Sequence, residues 1–201
     1  MSMIFVRYEN WRTYMKQYPV TVSLLFANIA MFILLVFNGG SENIETLIKF
    51  GAVVKFEPFI HETWRMFSAM FLHIGFEHLL FNMFALFVFA PPLERILGHF
   101  RYAVLYLLSG VLGNAIALWL SDLGTLSAGA SGALYGLYGA YFYIAFLQRK
   151  ALDDASRKTV YVILAIGLIQ SFLPHISWSA HIGGLVSGFV IYGFMRWVHR
   201  R

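Results

Sequence analysis

The sequence predicts an all-α polytopic membrane protein with six transmembrane helices and a membrane-associated first loop. Hydrophobic residues make up 59% of the 201-residue chain and charged residues only 12%, which is far more apolar than an ordinary soluble domain. Apolar runs of roughly 20 residues, the length that crosses a bilayer, occur about six times. Basic residues are concentrated in alternate connections between these runs, as the orientation rule for membrane helices requires.

The first predicted span covers residues 19–38, after a polar amphipathic lead of residues 1–18. We expect a retained helix rather than a cleaved signal peptide, because no small-residue cleavage site follows it. The long connection at 39–75 mixes glutamates with aromatic residues, which is typical of a segment at the membrane surface.

Five further spans follow, each placed to within several residues: 77–90, 102–121, 128–147, 159–173 and 177–198. We expect Pro91–Pro92 and Pro174 to mark helix ends, because proline has no N–H to donate. A single membrane domain at 19–198 is therefore predicted, with 199–201 as a short tail.

Lys and Arg residues give the direction of each span. Three lie on the outer side if the N-terminus is cytoplasmic, namely Lys49, Lys55 and Arg65. The other twelve then lie on the cytoplasmic side: Arg7, Arg12, Lys16, Arg95, Arg101, Arg149, Lys150, Arg157, Lys158, Arg196, Arg200 and Arg201. This distribution predicts that both termini are cytoplasmic.

Composition excludes several classes of function. The chain has no cysteine, so it has no disulfide framework, thiol nucleophile or thiolate metal site. Its net charge of +5 comes from the connections and forms no basic patch with interleaved aromatic residues. We therefore expect no nucleic-acid partner.

Four polar side chains are predicted to meet in one layer near the outer membrane face. The second, fourth and sixth helices all begin at that face, and their first two turns carry His78, Asn82, Ser131 and His181. At ~1.5 Å rise per residue these residues lie roughly 3 to 10 Å below the outer helix ends. Polar groups are costly in a membrane, so their convergence indicates a functional site.

Ser131 is flanked by Gly129 and Gly132, which allow a sharp turn and a close approach of other chain segments. The pattern is similar to a nucleophile elbow, and N–H groups at a helix start are suited to bind an oxyanion. An alternative is that Ser131 belongs to a helix-packing face with Gly132, Gly136 and Ala140.

His181 precedes Gly184 and Gly188 on one helical face, which allows a close approach to the helix of Ser131. A serine needs such a base to be nucleophilic at neutral pH. Tyr135, one turn below Ser131, is placed to stack on the imidazole. No carboxylate lies within the last three helices, so a Ser-His dyad is predicted instead of a triad.

His78 and Asn82 are spaced i, i+4 and project from one helical face, where they are suited to donate to an oxyanion. The alternative is an interhelical hydrogen-bonding pair. We expect His73 to have a structural role in the loop, because it lies about 140° from His78 on any shared helix.

These residues together resemble the motifs of the rhomboid intramembrane proteases. The matching segments are Gly-Ala-Ser-Gly at 129–132, Ala-His-Ile-Gly-Gly at 180–184, the run from His73 to Asn82, Trp64-Arg65, and Glu94-Arg95 followed by Gly98. They occur in the right order over about residues 56–193. Pro91–Pro92 stands where a glycine is common in the family.

The resemblance implies that Ser131 is the nucleophile and His181 the base, with His78, Asn82 and the Ser131 backbone as oxyanion donors. It implies that Tyr135 stacks on the base and that the fifth helix forms a lateral substrate gate. Gly129, Gly132, Trp64 and Arg65 match structural motif positions.

The chain is most similar to the basic six-span bacterial form, which implies a location in the inner (plasma) membrane of a bacterium. The expected partners are single-span membrane protein substrates and the lipid bilayer, with no cofactor and no metal.

Three other classes of function remain as alternatives. A channel or transporter needs polar positions deeper in the helices, where this chain has Leu, Phe, Ile and Val. An intramembrane metalloprotease needs a His-Glu-x-x-His helix, which the sequence lacks. A non-catalytic chaperone for membrane proteins is compatible with the same fold. Labelling by a serine-directed reagent distinguishes the protease from all three.

Overall fold

A computed structural model describes residues 4–6, 8–173 and 176–199. In this part the chain forms nine α-helices joined by short 3₁₀ segments and one two-stranded sheet. The helices are α1 (Trp11–Gln17), α2 (Pro19–Phe37), α3 (Ile44–Lys49), α4 (Arg65–Ser68), α5 (Phe76–Leu97), α6 (His99–Leu120), α7 (Ser131–Leu147), α8 (Asp154–Ser171) and α9 (Trp178–His199). The strands are β1 (Val53–Val54) and β2 (Leu126–Ser127).

Long helices occur at all six positions where the sequence predicts a span. Within the described ranges, α2, α5, α6 and α9 are long and apolar enough to cross a bilayer. Large apolar side chains on their outer surfaces, such as Phe26, Phe81 and Trp119, are at least 70% exposed in the isolated chain. A protein surface of this kind requires lipid as its solvent. The protein is therefore a multi-pass membrane protein.

The prediction that Pro91–Pro92 ends the second span is wrong, because α5 continues through both prolines to Leu97. Proline at position 91 cannot donate to the carbonyl of Phe87, four residues earlier. The hydroxyl of Tyr14, in α1, donates to that carbonyl at 3.3 Å. A partner from elsewhere in the chain thus replaces a bond that the helix cannot make. Pro174, the other predicted helix end, lies outside the described residues.

Helices α7 and α9 pack with their backbones in direct contact at a glycine interface formed by Gly132, Gly136, Gly184 and Gly188. A Cβ atom added to Gly184 would lie 2.0 Å from the Gly132 carbonyl oxygen, and one added to Gly188 would lie 1.9 Å from that of Gly136. The close approach expected from the glycine spacing is therefore present. It leaves no space for a side chain between the two helices.

The long first loop is a folded unit that rests on the helices. Arg65 is buried and donates to the carbonyls of Ile48 (2.6 Å) and Ala52 (3.2 Å), while its Nε pairs with Glu62 at 2.7 Å. The amide of Asn114 in α6 donates to the Met66 carbonyl at 2.8 Å. The loop is therefore held by polar contacts to its own backbone and to α6.

A short antiparallel sheet ties this loop to the segment before α7. Val53 pairs with Ser127 and Val54 with Leu126. Because residues 126–127 are extended, α7 begins at Ser131, three residues later than the span predicted from 128. The first loop and the start of α7 are thereby fixed relative to each other.

Glu94 joins α5 to the start of α2. Its carboxylate is fully buried and accepts hydrogen bonds from the backbone of Val20 (3.0 Å), the backbone of Thr21 (2.9 Å) and the Thr21 hydroxyl (2.6 Å). His99 Nδ1 lies 2.7 Å from the same carboxylate. The first N–H groups of a helix have no intrahelical acceptor and favour a negative charge, so Glu94 caps α2.

Candidate active site

Ser131 is the first residue of α7 and follows a tight turn. Gly129 has a φ of +138°, a conformation that side chains disfavour, and its N–H donates to the Ala69 carbonyl at 2.9 Å. The first helical bond of α7 runs from Leu134 to the Ala130 carbonyl. The N–H groups of residues 131–133 precede this bond, so they have no intrahelical acceptor, and N–H groups of this kind at a helix start are suited to bind an anion.

His181 lies in the first turn of α9 and is held by two side chains. Its ring stacks on that of Tyr135, with centroids 4.0 Å apart and an interplanar angle of 12°. Its Nδ1 lies 2.8 Å from the Ser171 hydroxyl, and the imidazole is only 7% exposed. The ring is therefore fixed in orientation, with Nε2 as its remaining nitrogen.

The contact between α7 and α9 brings Ser131 and His181 to the same layer. A Cβ atom added to Gly132, next to Ser131, would lie 3.5 Å from the carbonyl oxygen of Ala180, next to His181. No hydrogen bond joins the Ser131 hydroxyl to His181 in the described part of the chain. Catalytic hydrogen bonds often tighten only when substrate binds, so the arrangement is compatible with a nucleophile and its base.

His78 covers the turn before Ser131. A Cβ atom added to Gly129 would lie 2.8 Å from His78 Nε2 and 3.7 Å from Ser131 Oγ, so the imidazole and the hydroxyl both lie close to this glycine. Asn82 is one turn further along α5 and is buried, but its Nδ2 donates to the His78 carbonyl at 2.8 Å. The two side chains therefore differ: the His78 ring contacts the turn, whereas the Asn82 donor is used by its own helix.

His73 lies in the loop before α5, is fully buried and makes an edge contact with His78 at a ring-centroid distance of 5.1 Å. Burial, followed by the charge of His78, lowers the pKa of His73 from 6.5 to about 3, against an opposing backbone hydrogen bond with Phe71. His73 is therefore neutral, and its ring packs against the His78 ring.

The sequence reasoning missed Ser171, which is fully buried at the end of α8. The predicted site was built only from the first turns of helices that enter from the outer face. The last turn of α8 reaches the same layer from the opposite direction. Gly167 and Ser171, spaced i, i+4 near the end of an apolar helix, were the available signal.

The described residues contain no group of three His, Asp or Glu side chains arranged to hold a metal ion. The polar groups that converge here are two imidazoles, two serine hydroxyls, one phenol and one amide. Such groups serve nucleophilic and general-base chemistry in which protons move between hydroxyl and imidazole.

Comparison with known proteins identifies a family. The model of the Rhomboid domain matches residues 61–198. The putative rhomboid protease YdcA of Bacillus subtilis is 32% identical over 191 residues, which cover 94% of each chain. The rhomboid protease GluP of the same species is 39% identical over 170 residues, or 84% of this chain and 33% of GluP. RHOMBOID-like protein 1 of Arabidopsis thaliana is 39% identical over 153 residues, or 75% of this chain and 39% of that protein.

Proposed function

Since this chain belongs to the rhomboid family and is an intramembrane serine protease, we propose that it cleaves its substrates with a Ser131–His181 dyad. The observation that carries this proposal is the fixed His181 ring, stacked on Tyr135 at 4.0 Å, next to a helix start that exposes Ser131. In the proposed reaction, Ser131 Oγ attacks the scissile carbonyl while His181 Nε2 takes its proton. His181 then protonates the leaving amine, and water releases the acyl group by the reverse use of the same base.

The oxyanion is proposed to bind at the start of α7. The Ser131 N–H is one donor, and the His78 ring, which lies over Gly129, is the second. Asn82 is the third, and its amide has to turn away from the His78 carbonyl to take part. Gly129 is proposed to be needed because its φ of +138° and the nearby His78 ring disfavour a side chain, and Gly132 because its backbone packs directly against Gly184.

The proposed topology has six spans, so that α7 and α8 also cross the membrane. Helix α7 has 17 residues, which at ~1.5 Å per residue makes it slightly shorter than the hydrocarbon core. Both termini are proposed to be cytoplasmic on the basis of the twelve-to-three distribution of basic residues. The membrane is proposed to be the inner membrane of a bacterium.

The substrates are proposed to be single-span membrane proteins that enter beside α8. A helical peptide bond has to be unwound before a nucleophile can reach its carbonyl, so we expect small or helix-breaking residues at the cleavage site. No metal or cofactor is required in this mechanism.

The decisive experiment is cleavage of a model single-span substrate by the purified full chain, together with labelling by a fluorophosphonate. The wild-type chain should cleave and be labelled at Ser131, whereas Ser131→Ala should do neither. Ser109→Ala is the matched control, because Ser109 is a fully buried serine of α6 whose hydroxyl, among the described residues, donates only to the Tyr106 carbonyl of its own helix. Cleavage by Ser131→Ala, or activity that EDTA removes and zinc restores, would disprove the dyad.

A further inference from the structure

Ser171 occupies the position that a carboxylate holds in a catalytic triad. Its Oγ lies 2.8 Å from His181 Nδ1, 2.9 Å from the Tyr135 hydroxyl and 2.8 Å from the Gly167 carbonyl. The Tyr135 hydroxyl also donates to the Gly167 carbonyl. All of these groups are buried, so each donated hydrogen needs an acceptor within the network.

One assignment of donors and acceptors uses every hydrogen of this network. A carbonyl oxygen only accepts, so Gly167 is the end of the chain of hydrogen bonds. Tyr135 donates to Gly167, the Ser171 hydroxyl donates to the Tyr135 oxygen, and His181 Nδ1–H donates to Ser171. With its proton on Nδ1, the neutral imidazole presents the Nε2 lone pair, which is the form that can accept the Ser131 proton.

We propose that Ser171 is a positioning residue that selects the Nε2-basic tautomer of His181. Because Ser171 belongs to α8, this selection depends on α8 being packed against α7 and α9. This inference rests on the proposed dyad. Ser171 and Gly167 both belong to α8, while His181 belongs to α9 and Tyr135 to α7. Displacement of α8 therefore removes the Nδ1 partner, so the base is correctly oriented only when α8 is in place.

The test compares Ser171→Ala with Ser171→Thr in the purified full chain. Ser171→Ala should lower kcat and the rate of fluorophosphonate labelling on the order of tenfold, the equivalent of one hydrogen bond, with KM nearly unchanged. Ser171→Thr keeps the hydroxyl and should restore most of the rate. Ser109→Ala should retain the wild-type labelling rate.

Two results would overturn the positioning role: a wild-type labelling rate in Ser171→Ala, or equal defects in the Ala and Thr variants that follow their loss of Tm. Either result leaves the dyad intact. If instead Ser131→Ala still cleaves substrate, the proposed function fails, and the two failures are thereby distinguished.

A second inference concerns a cavity at the opposite end of the bundle. The cavity has a volume of about 360 Å³ and lies between the ends of α5, α7 and α9. Arg95 and Arg196 are among its lining residues, together with the apolar Ile96 and Leu152. Arg196 Nε is shielded from solvent and has no hydrogen-bond partner among the described residues.

Asp153 also lines the cavity, but its carboxylate already has hydrogen-bond partners. Asp153 caps α8 by accepting hydrogen bonds from the Ser156 N–H (2.9 Å) and hydroxyl (2.6 Å). The adjoining surface adds Arg149 and Lys150. We infer that the cavity binds the phosphate of an anionic glycerophospholipid, with Arg95 and Arg196 as its ligands and Ile96 along the acyl chain.

Thermal unfolding of the purified full chain in a neutral detergent tests this site without reference to proteolysis. Added phosphatidylglycerol should raise the Tm by several degrees, while phosphatidylcholine should not. The double variant Arg95→Gln/Arg196→Gln should lose this shift, and Arg101→Gln, an exposed arginine outside the cavity, should keep it. An undiminished shift in the double variant, or an equal shift with inorganic phosphate alone, would contradict a lipid site.

Discussion

Two of the helices that pack against α7, namely α9 and α8, contact it in opposite ways. Against α9 its backbone is in direct contact at the glycine interface. Against α8 it makes polar contacts near the two ends, from Tyr135 to Gly167 and Ser171, and from Tyr161 to the Ala145 carbonyl at 3.2 Å. Backbone packing cannot rearrange without separating the helices, whereas hydrogen bonds can break and reform. We therefore expect the pair that carries Ser131 and His181 to be rigid and α8, beside it, to be detachable.

The largest expected effect comes from Gly184→Ala in the rigid pair. The new Cβ would lie 2.0 Å from the Gly132 carbonyl oxygen, so the backbones have to separate. We expect a loss of about 3 kcal/mol or more of unfolding free energy, and almost no turnover. Gly183→Ala is the matched control with a smaller clash, because its Cβ meets atoms of the Ile116 side chain at 2.9 to 3.1 Å instead of a backbone oxygen at 2.0 Å. Thermal unfolding and substrate cleavage are the measurements, and equal losses in the two variants would contradict a rigid contact.

The next largest effect is expected for His78, and it shows whether the rigid contact between α7 and α9 extends to this residue. The His78 ring already contacts the turn before Ser131, so His78→Ala should reduce turnover on the order of a hundredfold, or ~3 kcal/mol of transition-state stabilisation. Asn82→Ala should reduce turnover less than His78→Ala does, because the Asn82 amide donates to the His78 carbonyl instead of to the site. KM should change less than kcat in both variants. If Asn82→Ala proves more damaging than His78→Ala, our description of the oxyanion donors is wrong.

The buried His73 side chain is expected to make the stability of the folded protein depend on pH. Its pKa is lowered to about 3 in the folded protein and is near 6.5 when unfolded, so the unfolded state binds more protons below pH 6.5. Stability should therefore fall as the pH drops from 6.5 towards 3, by about 2 kcal/mol at pH 5. His73→Asn cannot titrate and should show a smaller fall of Tm between pH 7 and pH 5. The same fall in both proteins would remove His73 as its cause.

The smallest effect belongs to the detachable helix. Tyr135→Phe keeps the ring that stacks on His181 but removes the hydroxyl that donates to Gly167, which should cost about 1 kcal/mol. Hydrogen exchange should become faster at the Ser171 end of α8 and remain slow in α7 and α9. Tyr161→Phe, the control, should affect the middle of α8, where Tyr161 lies. Uniform acceleration in all three helices would argue against a detachable α8.

Much of this arrangement could be predicted from the sequence, because it depends on local patterns. Apolar runs located the six long helices, and glycine spacing predicted the contact between α7 and α9. The direction of the spans brought His78, Ser131 and His181 to one layer. The Rhomboid domain match confirms the family resemblance that these residues suggested.

The remaining features depend on contacts between distant segments. The continuation of α5 through Pro91–Pro92 requires Tyr14, which is more than 70 residues away in the chain. The orientation of Asn82 depends on competition between the site and the carbonyl of its own helix, which spacing does not reveal. Ser171 was overlooked because its helix reaches the site with its last turn.

The Glu94 cap bears on how the protein is made. The N–H groups of Val20 and Thr21 emerge from the ribosome more than 70 residues before the carboxylate that accepts their hydrogen bonds. During synthesis the first long helix therefore enters the membrane with an unfinished end, and it remains so until the helix of Glu94 has been inserted. The N-terminal cap of α2 is thus completed only after Glu94 of α5 has been synthesised, and a chain truncated before Glu94 leaves the N–H groups of Val20 and Thr21 without this acceptor.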